Sequence, residues 1–134
     1  MSLSRRDFLA RTSLAATIAF LNSGALIRQE KPEKPPPLPG DLVKEFVGAG
    51  HGDLGKTKAM LEKERGLLNA AWDWKAGDFE TAIGGAGHMG RKDIALYLLS
   101  QGARMDIFVA AMLGRMEILK PTLDAFPNLV ASKG

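Results

Sequence analysis

The chain has 134 residues, 46% of them apolar and 25% charged, enough for one domain with a continuous core and unlike a globally disordered polypeptide. It has no cysteine, which excludes disulfides, thiolate metal sites, cysteine nucleophiles and lipid-modified cysteines. The formal net charge of +3 does not describe a nucleic-acid surface: residues 1–25 carry +2 of it, and the other 109 hold 15 basic and 14 acidic groups with no basic cluster.

The N-terminus runs Ser4-Arg5-Arg6-Asp7-Phe8-Leu9, then an apolar stretch from Leu14 to Leu21, then small residues at Asn22-Ser23-Gly24-Ala25. A charged start, a short apolar middle and a small-residue end are the parts of a signal peptide. Arg5 and Arg6 ahead of Phe8 and Leu9 resemble the twin-arginine export signal of bacteria. That resemblance implies residues 1–25 as a leader and a periplasmic or extracellular protein. Contact with the inner membrane is then transient, because the apolar stretch is shorter than the roughly 20 residues of a membrane span. Cleavage after Ala25 is the expectation, with retention as an uncleaved anchor the alternative. Residues 26–40 follow as a linker. Five prolines between Lys31 and Gly40 remove the amide donors that a helix or sheet requires, leaving an extended, semi-rigid spacer.

The folded part is expected over 41–134 and reads as all-α. Asp41 caps a first helix, and glycines at 48, 50 and 52 follow it. A second helix runs from Asp53 to Lys63, with Leu54, Ala59 and Leu61 as its buried face. Asn69 to Asp78 is a loop. A third helix is expected over Phe79–Gly87, a fourth over Lys92–Gln101 ended by Gly102, a fifth over Ile107–Leu113 capped by Asp106, and a sixth from Met116 to Ala125 before Pro127.

A sparse pattern recurs through these helices: a glycine, then a leucine nine residues later, at Gly52 and Leu61, Gly90 and Leu99, and Gly114 and Leu123. Such spacing signals stacked repeats. Gly114-x-x-x-Ile118-Leu119 with Leu123, Leu98-Leu99-Ser100-Gln101-Gly102-Ala103 and Ala110-Ala111-Met112-Leu113-Gly114 together resemble ankyrin repeats. The resemblance implies about three helix-turn-helix pairs, finger loops between them, and a protein that binds a protein partner without catalysis. Thr81 and Ile83 stand where the family's signature lies, but Gly84 replaces its histidine. The glycine intervals are 38 and 24 residues, so the second finger shrinks to Arg104-Met105. Phe126 to Gly134 parallels Glu64 to Ala70, the lead-in to a further repeat, and no polar cap follows. We therefore expect a domain truncated at its C-terminal end, with self-association through its uncapped repeat.

Two chemical motifs compete with this reading. Gly85-Ala86-Gly87-His88-Met89-Gly90 spells G-x-G-x-x-G, the fingerprint of a dinucleotide loop in an oxidoreductase, with Asp106 as the ribose partner. Against it, Asp78 and Glu80 interrupt the segment that should be a buried strand, and only 44 residues follow Gly90. We expect no cofactor. His51 and His88 occupy similar turns, and two lone histidines are expected to cap helices or bond carbonyls instead of holding a metal. The binding candidate is Trp72-Asp73-Trp74-Lys75, which puts both tryptophans in one finger. One of them is expected to fold back on the helices. Asp78, Glu80 and Arg104 are rim candidates.

Overall fold

The computed structural model describes residues 34–132, so Arg5, Arg6, Phe8 and Leu9 lie outside the described residues. The compact unit begins at Pro35, ahead of Asp41, and Leu38 of the proline tract already packs on the core. Six α-helices and one hairpin make up the described chain: α1 (Gly40–Gly50), α2 (Leu54–Lys63), β1 (Ala71–Asp73), β2 (Phe79–Thr81), α3 (Ala82–His88), α4 (Lys92–Ser100), α5 (Ile107–Met112) and α6 (Met116–Ala125). The fold is mostly helical, with a short antiparallel ribbon between the second and third helices.

Helix α1 buries Val43, Phe46, Val47 and Gly50, a stripe at the i, i+3, i+4, i+7 spacing of one helix face. It opens at Pro39 without a side-chain cap, so Asp41 is not the capping residue; it lies in the first turn, where a carboxylate favours the helix dipole. Asp53 does cap α2, its carboxylate accepting from the Lys56 amide at 2.8 Å. The buried pair of α2 is Thr57 and Leu61, while Ala59, expected inside, is exposed. The Thr57 hydroxyl can be buried because it donates to the Asp53 carbonyl at 2.7 Å.

The third helix starts later than the sequence suggested. Phe79–Thr81 is not its first turn but β2, paired with β1 in the register Ala71 with Thr81, Trp72 with Glu80 and Asp73 with Phe79. The physical stop is Thr81, in extended conformation, whose hydroxyl accepts from the Gly84 amide at 3.2 Å and so opens α3 one residue on.

Packing follows the odd helices. α1 packs on α3 and α3 on α5, while each packs on the helix that follows it in the chain. Gly50 lets α1 come close to the start of α3: a Cβ on Gly50 would collide with the Ala82 backbone. The core runs through this row as Phe46, Val47, Ile83, Ala86 and Val109, closed on the other side by Leu61, Leu67, Ile94 and Leu98. Burying each of the larger side chains contributes about 1.5–3 kcal/mol.

Two turns share one geometry. After α3, Gly90 at φ +68° lets the Arg91 amide reach back to the Ala86 carbonyl at 2.8 Å. After α5, Gly114 at φ +68° lets the Arg115 amide reach the Ala110 carbonyl at 2.9 Å. Both are Schellman stops, in which the left-handed residue must be glycine to avoid strain. The turn after α1 differs, because Gly52 does not adopt a left-handed conformation and Asp53 caps the next helix at once. The 3₁₀ segments Arg65–Asn69 and Pro127–Ala131 also match each other: Leu67 accepts from the Ala70 amide, and Leu129 from the Ser132 amide.

Candidate functional site

The hairpin and the C-terminal ends of α1 and α3 converge on one place. Asp73 shapes the hairpin tip: both of its carboxylate oxygens accept from the Gly77 amide, at 3.0 and 3.1 Å. The tip itself turns through Ala76 and Gly77, both at positive φ, and Lys75 is exposed on it. Trp72 folds back onto α1. Its ring lies against Gly40, where a Cβ would sit 3.5 Å away, and the Lys44 ammonium is 5.7 Å from the ring centroid. Trp74 is the more exposed tryptophan, at 39%, and it reaches the end of α1 near Gly48.

Trp74 leads to a hydrogen-bonded polar cluster. Its indole Nε1 donates to Glu80 Oε2 at 2.6 Å. His51 Nε2 lies 3.1 Å from that same oxygen, and His88 Nδ1 lies 2.8 Å from Glu80 Oε1. His51 is anchored from behind, its Nδ1 lying 3.0 Å from the Val47 carbonyl one turn earlier in α1. The rings of His51 and His88 meet edge-on with centroids 4.8 Å apart, and Trp74 meets His51 edge-on at 5.9 Å. These two are the only histidines of the chain. Among the described residues, every fully buried side-chain nitrogen or oxygen has a hydrogen-bond partner.

The glycines expected to mark a dinucleotide loop have other work. Gly85 and Gly87 sit inside α3, and Gly90 ends its turn, so the motif forms a helix and its stop instead of a loop ahead of a helix. A Cβ at Gly85 would lie 2.8 Å from the His51 ring, and one at Gly87 would lie 3.0 Å from a Val109 methyl. The absence of those side chains is what lets α1 and α5 close on α3. The strand ahead of α3 belongs to a two-stranded antiparallel ribbon, unlike the parallel sheet that carries such a loop.

The cluster forms one wall of a groove of about 1030 Å³, lined also by Phe79, Asp78, Asp106 and Phe108. Phe79 is 69% exposed and Phe108 39%. Asp106 is engaged in capping α5, accepting from the Val109 amide at 2.7 Å. Of the four binding candidates in the finger, Trp74 alone lines this groove; Trp72 is committed to α1, Asp73 to the tip, and Lys75 stands apart. Asp78 and Glu80 belong to the groove, whereas the Arg104 amide is held by the Asn69 side chain at 2.8 Å on the short second connection.

A second, smaller hollow of about 540 Å³ also touches Trp74, with Glu45 and Lys56 in its lining. The Glu45 carboxylate, bonded to Lys56 at 2.9 Å, holds that ammonium above the ordinary lysine value. At the turns, the Arg91 guanidinium holds the Asp93 carboxyl below the usual carboxylate range and also donates to the Gly52 carbonyl, tying the first interhelical turn to the second.

The sequence reading missed that His51, Glu80 and His88 come together. Its one available signal was the similar placement of the two histidines, each directly after a glycine at the end of an odd helix. No family model, curated protein or solved structure matches this chain.

Proposed function

We propose that this chain is an exported, ankyrin-like helical-repeat protein that recognises a protein partner in the groove beside Trp74 and carries out no chemistry of its own. The observation that carries the reading is the groove. Three exposed aromatic rings, Trp74, Phe79 and Phe108, surround the hydrogen-bonded Glu80 on the side where the odd helices and the hairpin meet. Aromatic anchors beside satisfied polar groups are the usual make-up of an interface centre. The repeat reading is supported by the matched turns at Gly90 and Gly114 and by the matched 3₁₀ segments after Glu64 and Phe126. Export rests on Arg5, Arg6, Phe8 and Leu9 and on the leader they open.

A second association is proposed at the other end. Helix α6 buries no residue fully, and Met116, Ile118, Phe126 and Val130 are exposed along it and the 3₁₀ segment that follows, an apolar surface suited to a second copy of the chain.

The test of recognition compares the two tryptophans. Partner captured from a periplasmic fraction by the full chain is purified and its affinity measured against Trp74→Ala and Trp72→Phe. Trp74→Ala should weaken binding roughly 30-fold, the scale of a hot-spot anchor, while Trp72→Phe leaves it within about threefold. Equal affinity for wild type and Trp74→Ala would reject the groove as the binding face.

A further inference from the structure

We infer that His51, Glu80 and His88 form a three-ligand site for a divalent transition-metal ion, with zinc the closest match to the donors. One ligand atom from each residue can be chosen so that all three lie within 4.8 Å of one another. Two imidazoles and one carboxylate are a set that binds zinc and leaves a coordination position open. Zinc–ligand bonds of about 2.0–2.2 Å in a tetrahedron place neighbouring donors roughly 3.3–3.5 Å apart. His51 Nε2 lies 3.1 Å from Glu80 Oε2 and His88 Nδ1 2.8 Å from Glu80 Oε1, somewhat closer than that and within reach of one ion after small side-chain turns. The larger spread is closed by turning His88, the most exposed side chain of the three, at the last residue of α3.

Hydrogen bonding around the cluster points the same way. The Val47 carbonyl can only accept, so His51 Nδ1 carries the hydrogen and, in the neutral ring, Nε2 turns its lone pair toward Glu80. In that neutral form two acceptors face each other at 3.1 Å. A cation between them satisfies both. A backbone carbonyl behind the distal nitrogen is also how ligating histidines are generally oriented, and the Trp74 Nε1–H holds the Glu80 carboxylate in the same manner. Gly85 completes the arrangement, because any side chain there would displace the His51 ring. With all three residues in the groove lining, the open coordination position faces the groove.

The experiment uses the untagged full chain, stripped with chelator and dialysed, with zinc chloride alone as the probe. Calorimetry follows binding, and proton NMR follows the ring signals of the two histidines, which are unambiguous because the chain has no others. Binding should saturate at one equivalent, with both histidines shifting together. His88→Ala, Glu80→Gln and His51→Ala should each weaken it by at least the roughly 10- to 100-fold that losing a mere supporting partner costs elsewhere. His88→Ala removes an exposed side chain, and its helical circular dichroism should match wild type, which keeps the test open if His51→Ala misfolds. Unsaturable binding, a shift in one histidine alone, or unchanged affinity in His88→Ala would overturn the site and leave a proton as the bridging cation. Because no partner is present, failure here does not touch the recognition reading.

Discussion

The helix pairs α3–α4 and α5–α6 are joined by the same turn, but their second helices lie in different surroundings. Gly90 and Gly114 adopt the same φ, Arg91 and Arg115 reach back to equivalent carbonyls, and each arginine pairs with the acidic residue two places on. Yet α4 buries Ile94, Ala95 and Leu98, while α6 buries nothing fully. The local code is therefore the same, and what differs is the neighbour. α4 has α2 packed against it and α3 beneath it, whereas α6 rests chiefly on α5 and the final 3₁₀ segment. Turn chemistry sets where a helix stops, and tertiary packing decides what that helix contributes.

Ile94 and Ile118, 24 residues apart, hold matched positions in α4 and α6. Ile94 is fully buried and Ile118 is 38% exposed. Ile94→Ala should cost about 2–5 kcal/mol, as large-to-small changes in a packed core do, and Ile118→Ala less than about 1. Urea unfolding midpoints with unchanged slopes would measure both. Equal losses would mean that α6 is held as firmly as α4.

Next in size are the turns themselves. Gly90→Ala and Gly114→Ala each force a side chain into the left-handed region, at about 1–2 kcal/mol. The first should lower global stability, and the second should appear mainly as faster amide exchange in α6. Pro121 gives the opposite sign. It lies inside α6, where it withholds an amide from the Glu117 carbonyl. Pro121→Ala should slow exchange in α6 and raise stability by about 1 kcal/mol. A fall in stability would show that the proline ring packs on something that matters.

The smallest effect concerns the charged pairs. Asp93 is held below the usual carboxylate range, first by its bond from Arg91. Glu117 is lowered chiefly by its own backbone amide and then by Arg115. A depressed carboxyl contributes stability that is present above its unfolded pKa and disappears as pH falls through the folded one. The stability difference between wild type and Asp93→Asn should therefore shrink as pH drops from about 6 to about 3. Arg91→Ala should cost more than Arg115→Ala, because Arg91 also bonds the Gly52 carbonyl across the first turn. Identical responses of the two arginine variants would mean that this bridge adds nothing.

Much of the helical skeleton was legible in the residues. Asp106 caps the helix it precedes, and α6 spans Met116–Ala125 as its spacing and Pro127 indicate, whereas the cap expected at Asp41 is found instead at Asp53. Thr81 misled because its neighbours Phe79 and Ile83 carry helical spacing, while the backbone there is committed to pairing with Ala71–Asp73. The site was harder to see. Trp74 stood out through its finger, but His51 and His88 are 37 residues apart, and only the packing of α1 on α3 brings them to one carboxylate. Glycines at 85 and 87 looked like phosphate-loop residues for the same reason. Their partners, the His51 ring and Val109, come from other helices.

We propose the groove at the hairpin as the recognition face and the exposed surface of α6 as the self-association face. A photo-crosslinking phenylalanine analogue at position 108 or position 118, with position 96 as control, tests this directly in cells expressing the full chain. Position 108 should give an adduct with a different protein, and position 118 an adduct at twice the mass of the chain. Neither should form at position 96. If position 108 traps nothing beyond what position 96 traps, the groove is not the recognition face.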